Sequence, residues 1–380
     1  MSSGPAADTV YFAGGGTGGH VYPNVAVAER LGEELAAQPG GGRRLRAVYL
    51  VSDRAVDARV VATEGLEAVA LPARPAGGRP DRALRFWAGF QRARRAAARR
   101  VRADRPAALL ATGGFVSGPA VVAARAAGVP TALVTLDAVA GRAAGWLARR
   151  CDAAFMAVEG AGLPGARVCG FPVRAASLAA GPAGEARAAY GLDPDRPTLL
   201  VFAGSSGART INAAAPAAFA SPAFAGVRAA WQVLHVAGPA EEAAVRSAYA
   251  AAGVAAAVLP YEPRLGRAWA AADLCLTRCG AGGVAEARAN AVPCLFLPYP
   301  WHRDGHQERN ARPLVAAGGA EVMEDRIDAA ANAEGLTARL LPLMGDPARR
   351  EAMRAALRGM PAADGAEVLA AWLLAHVLKK

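Results

Sequence analysis

Short apolar runs separated by alanine-rich segments of helix length recur through the chain, and this alternation constrains the fold more than any other feature. In the first half the runs are Val10 to Ala13, Ala47 to Val51, Ala68 to Leu71, Ala108 to Ala111, Thr131 to Val134 and Ala153 to Val158. A passage rich in proline and glycine, Gly160 to Pro197, precedes a second series: Thr198 to Ala203, Trp231 to Val236, Ala255 to Leu259, Leu274 to Thr277 and Cys294 to Leu297. Strands alternating with helices read as a parallel sheet covered by helices. At 380 residues the chain also exceeds the size at which one core stops growing, roughly 250 to 300 residues. The pattern predicts two doubly wound α/β domains facing one another across a cleft, over 1–165 and 166–359, with a last helix at about 360–380 returning to the first.

Each series opens on a strand, a glycine-rich turn and a helix: Gly14-Gly15-Gly16-Thr17-Gly18-Gly19-His20 in the first, Gly204-Ser205-Ser206-Gly207-Ala208 in the second. Glycines let backbone N–H groups approach an anion, and the following helix directs its positive end at the same place. The first turn therefore reads as a diphosphate cradle with a titratable imidazole, His20, at its lip. Gly14-x-Gly16-x-x-Gly19 with Asp53 closing the next run also fits a dinucleotide fingerprint, so a nicotinamide enzyme stays open here. A tight packing turn without ligand is the third reading.

The chain is basic, at +11, but only Lys379 and Lys380 among its 43 basic residues are lysine, which reflects composition bias more than nucleic-acid binding. Location is more informative than total. Residues 74–105 hold 11 arginines against Asp81 and Asp104, a local balance of +9. There Phe86, Trp87, Phe90, Ala97 and Val101 share one helical sector about 100° wide, with arginines largely opposite. Such a helix suits an anionic membrane surface; the alternative is an ordinary helix with aromatics inward. No run approaches the roughly 18 apolar residues of a spanning helix, and Met1 to Val10 lacks the parts of a signal peptide, so a cytosolic protein is expected. Five cysteines without a Cys-x-x-Cys pair read as reduced thiols rather than zinc ligands. Asp193-Pro194-Asp195 resembles a metal motif but reads as a connector before a strand.

The second half carries the richest polar clusters. Arg278-Cys279-Gly280-Ala281-Gly282-Gly283-Val284-Ala285-Glu286 follows the run ending at Thr277, and Glu286 can accept from ribose hydroxyls. Pro298 to Ala311, with His302, His306 and Gln307, forms another loop after a strand. Two such loops behind two glycine turns favour a nucleotide-sugar site over a dehydrogenase.

In that order, Gly15 to Pro23, Gly113-Gly114-Phe115-Val116-Ser117-Gly118-Pro119, Gly170-Phe171-Pro172-Val173-Arg174, Gly204 to Arg209, Arg278 to Glu286 and Asp304 to Ala311 resemble the motifs of the MurG family, N-acetylglucosaminyltransferases that convert lipid I to lipid II. The resemblance spans roughly residues 8–325. It implies a GT-B fold and an inverting transfer from UDP-N-acetylglucosamine to the 4-hydroxyl of an undecaprenyl-linked muramyl-pentapeptide, at the cytoplasmic membrane face. Cell-wall synthesis proteins are possible partners; nucleic acid is not. By resemblance the donor is held by Thr17, Gly18, Gly19, Asp137, Arg174, Ser205, Ala281 to Glu286 (Ala281, Gly282, Gly283, Val284, Ala285, Glu286), His306 and Gln307. The acceptor falls to Gly15, Gly16, Gly113, Gly114 and Ser117, and the membrane to Phe86, Trp87 and Phe90. His20 is the candidate base, with Asp137 as its alternative, and the chemistry requires no metal or cofactor.

One departure bears on the acceptor. The family's His-Glu-Gln-Asn after the fifth strand is replaced by Val134, Thr135, Leu136 and Asp137. Ala203 also replaces a glycine of the second turn, and Glu262 stands where an apolar residue meets uracil. Two alternatives therefore stand beside lipid II formation: a related transferase with another polyprenyl or lipid acceptor, and a non-catalytic binder of the nucleotide sugar or lipid.

Overall fold

The computed structural model describes residues 7–16, 18–39, 43–75, 80–202, 208–301, 305–361 and 364–380. The chain divides into two units, Met1–Arg174 with Ala363–Lys380, and Ala175–Ala362.

In the first unit the strands are β1 (Ala7–Gly14), β2 (Arg44–Ser52), β3 (Ala68–Leu71), β4 (Ala108–Gly113), β5 (Thr131–Thr135), β6 (Ala153–Met156) and β7 (Arg167–Val168). They pair in parallel in the order β3-β2-β1-β4-β5-β6-β7. The helices are α1 (Gly18–Ala36), α2 (Ala55–Glu64), α3 (Pro80–Asp104), α4 (Ser117–Ala126) and α5 (Arg142–Ala148). Central strands here are apolar throughout because helices cover both faces. One face packs Tyr11, Leu50 and Leu109 against Ala93, Ala97 and Val101 of α3 and Ala120, Val121, Ala123 and Ala124 of α4. Alanine suits these positions, being both the best helix former and small enough for close approach to the sheet.

The expected boundary at 165/166 falls short. β7 continues the first sheet beside β6, and Cys169 N–H donates to Met156 O at 2.9 Å, so the chain stays with the first unit through Arg174. β7 escapes the apolar pattern because it has two exposed residues.

The second unit contains α6 (Ala183–Ala188), β8 (Thr198–Phe202), α7 (Arg209–Ala220), α8 (Ala225–Ala230), β9 (Gln232–Val236), α9 (Glu242–Ala251), β10 (Ala256–Leu259), α10 (Leu265–Ala271), β11 (Leu274–Thr277), α11 (Ala281–Ala289), β12 (Cys294–Phe296), α12 (His306–Ala316), β13 (Ala320–Val322), α13 (Ala329–Gly345) and α14 (Pro347–Arg358). Its parallel sheet runs β10-β9-β8-β11-β12-β13. Asp193 Oδ1 accepts the Asp195 N–H at 3.0 Å, closing a turn before β8. Helix α15 (Gly365–Val377) belongs to the first unit and packs on α1 and β4, burying Leu369, Leu373 and Val377.

In both sheets the strand order reverses beside the first strand of the series, between β1 and β4 and between β8 and β11. Ligands of doubly wound sheets bind at the carboxyl ends next to that reversal.

Candidate active site

At the first reversal, Gly14 ends β1 and Gly113 ends β4, so the two glycine turns lie side by side. Gly113 and Gly114 have φ of +100° and +76°, and a Cβ on Gly114 would stand 2.3 Å from Gly15 O. The turns interlock through backbone, which admits no side chain.

Asp57, in the first turn of α2 and 0 % exposed, secures the loop from below. Its Oδ2 accepts from Gly16 N–H at 2.7 Å, Ser52 N–H at 2.9 Å and the Ser52 hydroxyl at 2.5 Å. The Gly16 N–H is thus committed to an internal carboxylate. What remains of the expected cradle is the N-terminal end of α1, Gly18, Gly19 and His20, where helix N–H groups lack intrahelical partners. Asp53, the acid of the dinucleotide fingerprint, instead pairs with Arg74 at the surface at 2.7 Å.

His20 lies in the first turn of α1, its Cε1 3.3 Å from where a Cβ of Gly113 would stand. Nδ1 is 3.0 Å from Thr112 O. A carbonyl only accepts, so Nδ1 carries the hydrogen and Nε2 is the ring's acceptor nitrogen. Burial holds the imidazole below its ordinary pKa, against the opposing pull of Asp137, the Thr112 carbonyl and Asp57. The ring is therefore neutral near pH 7. Asp137, just beyond β5, is half-buried, while Val134, Thr135 and Leu136 before it are buried.

Two other residues face inward. Ser117 is fully buried, its hydroxyl 3.0 Å from Ala13 O and 2.5 Å from Gly113 O, so it ties the ends of β1 and β4 together instead of presenting a hydroxyl to an acceptor. Arg174 is buried in the first unit, 2.5 Å from Glu64 Oε1 and with its guanidinium 4.0 Å from the Tyr22 ring centroid.

On α3 the sector splits along its length. Ala93, Ala97 and Val101 are core, whereas Leu84 and Trp87 are 74 % and 58 % exposed. Phe86, Trp87 and Phe90 cluster with centroids 5.8 to 6.1 Å apart, and Phe90 is anchored edge-on to Trp146. Among the described residues no helix is long and apolar enough to cross a membrane.

In the second unit, Ala281, Gly282 and Gly283 open α11, with Val284, Ala285 and Glu286 in its next turn. Glu286 Oε2 accepts from Trp269 Nε1 at 3.2 Å. His306 and Gln307 open α12, and Gln307 Oε1 accepts from Tyr299 N–H at 2.9 Å. Beneath both lies Arg278, which donates to Leu297 O and Pro298 O at 3.0 Å and to Thr210 Oγ1 at 2.6 Å, and pairs with fully buried Asp325 at 2.7 Å. Burial pushes the Asp325 carboxyl up, and hydrogen bonds from Thr210, Asn332, Ile327 N–H and Arg278 outweigh it and hold it below its usual value. Glu262 accepts the Tyr190 hydroxyl at 2.7 Å and the Arg264 N–H at 2.8 Å. Thr17, Ser205, Ala203 and His302 lie outside the described residues.

Sequence reading missed Asp57, Thr112 and Asn24. The one signal for Asp57 is an acid at helix spacing after the turn that follows β2.

Two doubly wound parallel sheets of this order, the first with glycine turns at its reversal, have the architecture of GT-B glycosyltransferases. The glycosyltransferase family 28 N-terminal domain matches residues 10–156 and the corresponding C-terminal domain residues 198–369. A UDP-N-acetylglucosamine--N-acetylmuramyl-(pentapeptide) pyrophosphoryl-undecaprenol N-acetylglucosamine transferase of Acidothermus cellulolyticus is 38 % identical over 93 % of this chain and 95 % of its own. The transferase of the same name from Mycobacterium bovis is 37 % identical over 98 % and 90 %. Among solved structures, MurG of Acinetobacter baumannii superposes with a TM-score of 0.70 at 22 % identity, covering 98 % of this chain and all of that one. The calicheamicin glycosyltransferase CalG4 reaches 0.62 at 18 %, covering 98 % and 99 %, a likeness of fold. The chain belongs to the MurG family.

Proposed function

We propose that this chain transfers N-acetylglucosamine from UDP-N-acetylglucosamine to the 4-hydroxyl of the muramyl sugar of lipid I. The observation that carries this reading is His20, neutral, hydrogen-bonded inward through Nδ1 and with Nε2 as its acceptor nitrogen at the mouth of the first glycine turn. Nε2 takes the hydroxyl proton as the oxygen attacks the anomeric carbon. The bond from that carbon to the diphosphate oxygen breaks, UDP leaves, and the configuration inverts from α to β. Asp137 stabilises the imidazolium formed. Ala281 to Glu286 hold uridine, His306 and Gln307 the sugar hydroxyls, and the helix N-termini oppose the charge on the departing diphosphate. Arg174, which pairs with Glu64 through one guanidinium nitrogen, is the cationic partner of that diphosphate; Arg174→Ala is expected to raise the donor KM, and an unchanged KM removes Arg174 from the donor set.

The exposed Leu84 and Trp87, beside the arginines of α3, dock the enzyme peripherally on an anionic membrane where a polyprenyl acceptor resides. A second reading, transfer to a different polyprenyl-linked sugar, is favoured by the Val134 to Asp137 segment, which lacks the family's imidazole, carboxylate and glutamine. One assay separates the two: labelled UDP-N-acetylglucosamine with detergent-dispersed lipid I, following label into lipid and release of UDP. Label in lipid II supports the first; donor binding without transfer moves the reading to another acceptor or to a non-catalytic binder.

A further inference from the structure

His20 is held by more groups than an imidazole on an exposed helix end requires. Thr112 grips it twice: its main-chain carbonyl lies 3.0 Å from Nδ1, and its hydroxyl donates to the His20 carbonyl at 2.7 Å. Asn24, one helical turn after His20, donates through Nδ2 to the same carbonyl at 3.2 Å and to Thr112 Oγ1 at 3.1 Å. Thr112 and Asn24 are each 1 % exposed. Gly14 leaves the space for this knot. A Cβ there would stand 2.2 Å from Thr112 Oγ1, 2.5 Å from His20 O and 2.9 Å from Asn24 Nδ2, so packing rather than backbone conformation demands glycine. Asn24 Oδ1 is buried without a partner. A lone buried acceptor is destabilising, so stability alone would favour an apolar residue at 24, and the use of asparagine lies in the two bonds of its Nδ2.

We propose that Thr112 and Asn24 are positioning residues whose side chains hold the His20 main chain where the Thr112 carbonyl meets the ring, so that the hydrogen stays on Nδ1 and Nε2 is left bare to take the acceptor proton. The proposal rests on His20 being the base. The clamp is nevertheless readable without turnover, because ¹⁵N signals of labelled histidine distinguish a bare from a protonated ring nitrogen.

Thr112→Val removes the hydroxyl and keeps the shape, Thr112→Ser restores it, and Asn24→Ala removes the amide with its unpartnered oxygen. Thr112→Val and Asn24→Ala are expected to lower kcat about tenfold, the effect of a slightly misplaced catalytic group, with donor KM within about twofold. The ¹⁵N signals of His20 in both should move toward a tautomer mixture, and Thr112→Ser should restore both readouts. Wild-type kcat with unchanged nitrogen signals in both variants overturns the proposal, as does a fall in kcat without movement of those signals. If His20→Ala retains turnover while the signals of Thr112→Val still move, the base assignment fails and the clamp stands.

Discussion

The loop after β1 and the loop after β11 both lie at the strand-order reversal of their own sheet, β11 holding the place that β4 holds in the first, and they are secured by different chemistry. The first is held by interlocked glycines and by hydrogen bonds accepted by Asp57 and donated by Thr112 and Ser117, none of them part of an ion pair among the described residues. The second rests on a buried ion pair, Arg278 with Asp325, extended through Thr210 and Asn332. A hydrogen bond fixes orientation and is worth about 0.5–1.5 kcal/mol net, whereas removing one partner of a buried ion pair costs about 3–5 kcal/mol. The first loop should therefore allow catalysis to be lost while the fold survives, and the second should not.

The sharpest separation is expected at His20. His20→Ala should lower turnover by about 10²- to 10⁴-fold while calorimetric donor affinity and the urea midpoint stay near wild type. Retained turnover would transfer the base role to Asp137. At the other loop, Asp325→Ala should lower unfolding free energy in urea by about 3–5 kcal/mol, and an unchanged midpoint would erase the contrast drawn above.

Acid pH probes both units. His235 is fully buried between Tyr249 and Asn212, and burial holds its pKa at about 3; burial also lowers that of His20. A histidine with a depressed folded pKa binds its proton in the unfolded chain first. Its contribution to stability is then intact above the unfolded value near 6.5 and declines as pH falls, by up to about 1.4 kcal/mol per pH unit. For His235 the decline runs down to about pH 3. Replacing it with glutamine should remove about one proton's worth of slope from unfolding free energy against pH, and an unaltered slope would place the titration elsewhere. The smallest effect belongs to the surface: Trp87→Ser should weaken sedimentation with phosphatidylglycerol vesicles about tenfold, the worth of one large exposed side chain. Equal sedimentation would return α3 to the role of an ordinary covering helix.

Strands β1 to β6 and β8 to β12 and the first glycine turn are legible in sequence because they depend on local pattern, whereas the short edge strands β7 and β13 are not. Nor are the supports of His20. Asp57 reaches Gly16 across 41 residues and Thr112 reaches His20 across 92, and no periodicity records which distant polar groups converge. Asp53 shows the hazard: spacing selected it as the acid of the fingerprint, yet α2 turns Asp57, four residues later, under the loop. Arg174 shows another. Its motif was legible, but the two-residue β7 that carries the chain onward within the first unit was not, so its pairing with Glu64 and Tyr22 was hidden.

The return of α15 to the first unit has a consequence for synthesis. A ribosome that has made residues 1–174 has supplied all seven strands of the first sheet but not Leu369, Leu373 and Val377, which cover α1 and β4. The second unit is complete in sequence before the first has its final helix. Folding order should run against chain order, with the first unit waiting for residues 365–377, and a nascent chain stalled near Ala362 should protect its second unit from protease before its first.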